Sequence, residues 1–229
     1  MIHVAHAWKV AYPTAHVGAL AMHDVSNPRH HAELEERKRA LEQALRSRFA
    51  GQSKADLAAL PAMRAYEAYY KRFNKTYHVL LQLRSVALEG KPLPGVAALV
   101  EAGFMAELEN GLLTAAHDLD RVEPPIMLDA ARGDEQYVLL NGQSQILKAH
   151  DMLMADAQGV ICSVIYGQDR RTAVRPETRR VLFIVYAPEG IPAQAIRQHL
   201  EAIRDNVHLV APGAVVDELH VYGGDEPDL

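Results

Sequence analysis

A single cysteine, Cys162, stands in 229 residues, so neither an internal disulfide nor a thiolate metal cluster can form. No site here rests on sulfur ligation, and no metal or cofactor is expected. Nowhere do about 18 apolar residues follow one another, the minimum for a spanning helix, and Met1-Ile2-His3-Val4-Ala5-His6 has no basic stretch leading into an apolar run. A cytoplasmic protein with no membrane partner is expected. Aromatics make up only 6%, and positive charge is in the minority, with 24 Lys and Arg against 29 Asp and Glu for a net charge of −5. That balance excludes nucleic-acid capture by bulk charge, DNA included, but leaves room for a local patch. Serine-hydrolase elbow, P-loop, dinucleotide-fingerprint and zincin patterns are all missing, so those routes to function have no support.

What is present is an ordinary globular composition, 49% hydrophobic and 23% charged with a mean hydropathy of −0.12. The length fits a single domain over residues 1–222, followed by an acidic tail over 223–229. Weak alternation from Ile2 to Asp24 predicts one or two short strands. Leu34, Leu41, Leu45 and Phe49 share one face of a helix predicted over Arg29 to Ala50, closed by Gly51. Ser53 to Phe73 reads as two helices or one kinked at Pro61, and helices are also predicted over His78–Leu88, Pro94–Leu113 and Ile191–Asp205. After Asp120 short apolar runs bounded by turn residues take over, among them Ile126–Leu128, Tyr137–Leu140, Val160–Ile165 and Val181–Tyr186, with hairpin signals at Asn141-Gly142 and Gln158-Gly159 and a last strand at Val215–Tyr222. The class is α+β, a helical N-terminal half packed on a mainly antiparallel sheet.

The net charge hides a segregation. Arg64 to Lys91 carries six basic residues against Glu67 and Glu89, interleaved with Tyr66, Tyr69, Tyr70, Phe73 and Tyr77. Cations with flat rings suit a single-stranded nucleic-acid end, although burial of the rings in a core is the commoner use of such spacing. A second basic cluster comprises Arg170, Arg171, Arg175, Arg179 and Arg180, and between the two Glu101 to Glu135 holds nine acids against Arg121 and Arg132. This order suits a cationic group tethered to a polyanion. At the junction of the two halves His117-Asp118-Leu119-Asp120 offers a histidine beside carboxylates, able to orient a water, while the same acids equally suit turn caps. Tyr166-Gly167-Gln168-Asp169 ends an apolar strand, a common place for site residues and equally a plain hairpin turn.

The run from Lys91-Pro92-Leu93-Pro94 through Val100-Glu101 and Leu108-Glu109-Asn110-Gly111 to His117-Asp118-Leu119-Asp120-Arg121-Val122-Glu123 continues in order. Gly133-Asp134-Glu135, Val138 to Gly142, Met154-Ala155-Asp156, Tyr166-Gly167 and Glu177 to Leu182 follow it. Over roughly residues 65 to 190 this resembles the B3/B4 editing domain of the phenylalanyl-tRNA synthetase β subunit, and its free-standing relatives most. The resemblance implies a compact α+β domain that takes the aminoacylated end of a tRNA and hydrolyses the ester of a wrongly attached amino acid. Such an ester is reactive and has a neighbouring ribose hydroxyl, so a positioned water with backbone donors suffices.

The departures matter. Where the synthetase domain has Asp and then Asn, this chain has Glu101 and then Phe104; the synthetase histidine falls near Ala115, with His117 in the place of an aromatic. The synthetase's tyrosine specificity therefore does not carry over, and the acidic stretch instead fits a cationic side chain; among the free-standing editing proteins that the chain resembles, such a substrate is the arginine mimic canavanine on tRNA(Arg), which is what the resemblance implies here. In this reading His117 and Asp118 orient the water or ribose, with Asp120 and Asp169 in support. Glu101, Glu107, Glu109, Tyr166 and Thr178 take the substrate, while Lys71, Arg72, Lys75, Arg170, Arg171 and Arg179 take the tRNA. The rivals are a non-catalytic tRNA or amino-acid binding module of the same fold and an unrelated small-molecule hydrolase. The oligomeric state stays open, a monomer being sufficient.

Overall fold

The computed structural model describes residues 2–223, so all of the expected acidic tail except Gly223 lies outside the described residues. In chain order the elements are β1 (Ile2–Val4), α1 (His6–Ala11), β2 (His16–His23), α2 (Ala32–Arg48), α3 (Lys54–Ala58), α4 (Pro61–Lys71), α5 (His78–Ala87), α6 (Ala98–Asn110) and β3 (Leu113–Asp118). A 3-10 turn (Leu119–Arg121) leads to β4 (Ile126–Ala130), β5 (Gln136–Val138), β6 (Ser144–Ile146), β7 (Met152–Asp156), β8 (Gly159–Ser163), β9 (Gly167–Gln168), β10 (Arg180–Ala187), α7 (Ala193–Val210) and β11 (Val215–Gly223). The α+β class is the one observed.

Local chemistry accounts for several boundaries. Ser53 and Asp56 form a reciprocal capping box that starts α3, and Pro61 opens α4 where a missing N–H is harmless. The segment expected as one kinked helix or two is thus two. Pro92 and Pro94 hold the chain extended, so the helix expected from Pro94 begins only at Ala98. It ends at Gly111, whose φ of 75° serves a left-handed C-cap and turns the chain straight into β3.

The sheet half therefore starts at Leu113 and not after Asp120. Leu113-Thr114-Ala115-Ala116 has little intrinsic strand preference; it is a strand because β10 pairs with it from Val181↔Asp118 to Tyr186↔Leu113. Likewise α1 falls inside a stretch expected to be extended, and α7 continues past Asp205 to Val210.

Two sheets organise the molecule, in the orders β11-β2-β10-β3 and β1-β4-β7-β8-β9, with β5-β6 a separate hairpin. All pairs are antiparallel except β1 with β4. Val181–Ala187 is buried throughout, as its continuous apolar run requires of a central strand. α7 lies directly on β2 at Gly18, where an added methyl would run into Ile196 and Leu200. Both sheets and the helices contribute to one core, and a smaller one of Ala131, Tyr137, Leu147, Leu153 and Val160 sits at the β5-β6 hairpin.

Candidate active site

The inner face of α5, one face of α6, strand β3 and the turn joining β8 to β9 surround a cleft of about 560 Å³. That is within the usual range for a small-molecule site. Its walls are mostly apolar, including Leu99, Val100, Phe104, Ala115 and Val164, with Val96 and Leu140 exposed among its lining residues. The β8–β9 turn is held rigidly. Asp151, fully buried, accepts hydrogen bonds from Tyr69 of α4, from the Ser163 hydroxyl and from the Ile165 N–H, and Ser163 in turn accepts the Tyr166 N–H. Burial pushes the Asp151 carboxyl up to about 6.

Few polar groups reach this cleft. Glu107 is one: its Oε1 accepts the Thr114 N–H at 2.7 Å, and burial pushes the carboxyl up to about 8. Gln82 and His78, one turn apart on α5, are two more, the Gln82 Oε1 being buried without a hydrogen-bond partner and His78 standing exposed at the rim. Gln168 lines it too and donates to the Ala116 and Thr172 carbonyls. The lone Cys162 is also in the wall, but burial pushes its thiol up to about 12, so it stays protonated and unreactive.

His117, Asp118 and Asp169 are brought together, but behind the cleft and not in its lining. Thr172 donates its one hydroxyl proton to Asp169, so it accepts from His117 Nδ1–H at 2.7 Å, leaving Nε2 as the bare nitrogen, buried and without a partner. Burial pushes this imidazole down to about 3. Asp118 caps the 3-10 turn through the Asp120 N–H and accepts the Thr178 hydroxyl at 2.9 Å, which places Thr178 beside Asp118 and away from the cleft lining. Asp120 lies outside, paired with Arg180 at 3.1 Å. The turn-capping use of these acids is thus realised. Together the group fastens Thr172 and Thr178 to β3.

Of the three glutamates, only Glu107 lines the cleft. Glu101 is spent on Lys38 at 3.0 Å and on the Val96 N–H at 2.7 Å; Glu109 pairs with Arg37 at 2.8 Å. Both are turned toward α2, which leaves neither free for a substrate. The aromatics of 64–91 are equally committed: Tyr66, Tyr69, Tyr70, Phe73 and Tyr77 are all buried, with Tyr66 and Tyr77 stacked at 4.2 Å. No exposed platform of bases and rings is made from them, because rings that can be buried gain more there.

The basic residues divide the same way. Lys75 lies over the ring of Tyr166, which lines the cleft, and Arg170 reaches the hairpin at Gly142. Lys71 is exposed beside Glu67. Arg72 instead packs over Tyr12, Tyr69 and Phe73, Arg171 is bound to Asp156 at 2.7 Å, and Arg179 folds onto the carbonyls of Pro176 and Thr178. Those three serve the fold's own contacts.

His78 and Gln82 were not among the residues expected at the site, and Gln168 was reached only as part of the Tyr166–Asp169 turn. The signal for the first two was a polar pair at i and i+4 on a face otherwise formed by Val79, Leu80, Leu83 and Val86. Among the described residues no three His, Cys, Asp or Glu side chains gather as for a metal, and no helix is long and apolar enough to cross a membrane.

Residues 62–206 match the sequence profile of the B3/4 domain family. Among solved structures, an N-terminal fragment of the phenylalanyl-tRNA synthetase β subunit from Pyrococcus horikoshii is similar at 12% identity and a TM-score of 0.49. The match covers 94% of this chain and 50% of that one, so the chain spans half the length of that fragment. No curated protein matches by sequence.

Proposed function

Because the chain belongs to the B3/4 domain family, we propose that it is an aminoacyl-tRNA deacylase acting in trans in the cytoplasm, with canavanyl-tRNA(Arg) as its substrate. The observation that carries this is Glu107, an ionisable carboxyl buried in the wall of a mostly apolar cleft. Burial keeps this carboxyl protonated up to about 8, and a cation in the cleft would favour its ionised form. The sequence's acidic stretch thereby reduces to one residue with the right address.

The mouth of the cleft supports the rest. Lys75 over Tyr166 and Arg170 at the hairpin supply cations for the phosphates of a tRNA end, and exposed Val96 and Leu140 supply apolar surface for its base or ribose. Hydrolysis needs no side-chain nucleophile, since the ester is activated and the terminal ribose keeps a vicinal hydroxyl. In this reading His117, Thr172 and Asp169 are positioning residues that hold Gln168 at the wall, and water is oriented by Gln168 and the backbone around Gly167. Thr178 and Asp118 act at the same remove.

Ester loss from a panel of mischarged tRNAs, canavanyl-tRNA(Arg) among them, is the test. Acceleration on the canavanyl substrate is expected; no acceleration on any member of the panel, with the circular dichroism of a folded protein, overturns the reading. A non-catalytic amino-acid or tRNA binding module is favoured by one observation, the presence of Ala115 in the cleft wall, near which the resemblance puts the histidine of the synthetase-type domain. Tight binding of the same tRNAs without turnover would select it.

A further inference from the structure

α5 turns a polar pair toward the cleft from a helix whose other inward residues are Val79, Leu80, Leu83 and Val86. Of this pair, Gln82 has its amide oxygen buried and without a hydrogen-bond partner. An acceptor left so is destabilising unless a donor meets it in the cleft. From α6, Glu107 enters the same cleft, and only its Oε1 is used, by the Thr114 N–H. Among the described residues Oε2 carries no hydrogen bond. The cleft therefore holds two acceptor atoms from two different helices, between walls that include the ring of Phe104 and the Tyr186 hydroxyl, which is likewise buried without a hydrogen-bond partner.

The chemistry that satisfies such an arrangement is a flat head group with N–H bonds pointing in several directions. A guanidino-type group spreads up to five N–H donors over one plane and stacks on aromatic faces, whereas an ammonium concentrates three donors at a point. We infer that Gln82 and Glu107 form a two-sided acceptor for a guanidino-type side chain, and that Gln82 is the residue separating that head group from an ammonium. This rests on the reading of the cleft as the amino-acid site of the proposed deacylase. The raised carboxyl of Glu107 agrees with it, since a cation at Oε2 is what would restore its ionised form.

The test uses the purified full chain and its Gln82→Leu and Gln82→Glu variants. Two readouts are taken: calorimetric binding of free canavanine and lysine, and deacylation of canavanyl-tRNA(Arg) and lysyl-tRNA. Gln82→Leu is expected to lower kcat/KM on the canavanyl substrate ~10-fold or more, mainly through KM, and to collapse the preference over lysyl-tRNA. Gln82→Glu, which keeps the acceptor, restores the preference. Because Leu removes an unsatisfied buried acceptor, the melting temperature of that variant stays level or rises, which a merely structural role for Gln82 would not produce. If the wild type hydrolyses canavanyl-tRNA(Arg) and Gln82→Leu keeps both its efficiency and its preference, the inference is overturned while the deacylase reading stands. If the wild type hydrolyses nothing yet binds canavanine over lysine in a Gln82-dependent way, the deacylase reading falls and the inference stands. Neither hydrolysis nor Gln82-dependent binding overturns both.

Discussion

Burial holds the Glu107 carboxyl at about 8, and the direction sets a pH dependence. The folded protein keeps this proton after the unfolded chain has lost it, so the stability it contributes is full below about 4.5, the ordinary glutamate value, and is lost as pH rises toward 8. Glu107→Gln, which keeps an acceptor for the Thr114 N–H, should therefore raise the melting temperature at pH 8 by several degrees and change it little at pH 4.5. Thermal scans at the two pH values check this; an equal effect at both would contradict it. His117 and His199 work from the other side, both pushed down to about 3 by burial. Their stability is present above about 6.5 and lost as pH falls through that range toward 3. His199 accepts or donates at Thr114 Oγ1 at 2.7 Å, so His199→Gln should flatten the acid limb of a pH–stability curve relative to the wild type. Sequence spacing had offered Glu101, Glu107 and Glu109 alike. Pairing with α2, far away in the chain, and the turn that brings β3 against α6 tell them apart.

At the scale of elements, α6 explains that ambiguity. Ala98, Leu99, Glu101, Ala102, Gly103, Met105, Ala106, Glu107 and Leu108 are all buried, so the helix has no solvent face from which its cleft face could have been deduced. Its attachment to α2 rests partly on the buried Lys38–Glu101 pair. Removing one partner strands the other charge, and Lys38→Met is expected to cost ~3 kcal/mol. A melting temperature lower by about 6–12 °C would register it at ~2–4 °C per kcal/mol; a loss below about 2 °C would mean that the pair is not buried as described. Where β2 meets α7, Gly18→Ala should destabilise by ~1–3 kcal/mol by overpacking against Ile196 and Leu200. Chemical denaturation reads it directly. Helices with caps and stripes, such as α2 and α3, and strands with long apolar runs, such as β10, were legible because their signals are local. β3 was not, since Ala115 and Ala116 become strand only through their pairing with β10.

For the molecule as a whole, a net charge of −5 limits how strongly any polyanion is held. Association with tRNA should be weak and salt-sensitive, and of the basic residues only those free of internal pairing can contribute. Lys75→Ala and Arg170→Ala are each expected to reduce the slope of log affinity against log salt by ~0.7–0.9, as the loss of one phosphate contact does. Arg171→Ala should leave the slope unchanged and lower stability, its guanidinium being bound to Asp156. Fluorescence anisotropy with tRNA across a salt series separates the two kinds of arginine. Sequence alone determined the α+β class, most element positions, the family, and the exclusion of an internal disulfide or thiolate cluster, because composition, periodicity and caps are properties of neighbouring residues. Tertiary structure decided that the tyrosines are core, that His117 and Asp118 stand behind the cleft, and that Glu107 and Gln82 share it. The physical reason is that periodicity tells which residues share a face, while desolvation and pairing depend on what the rest of the chain brings against that face.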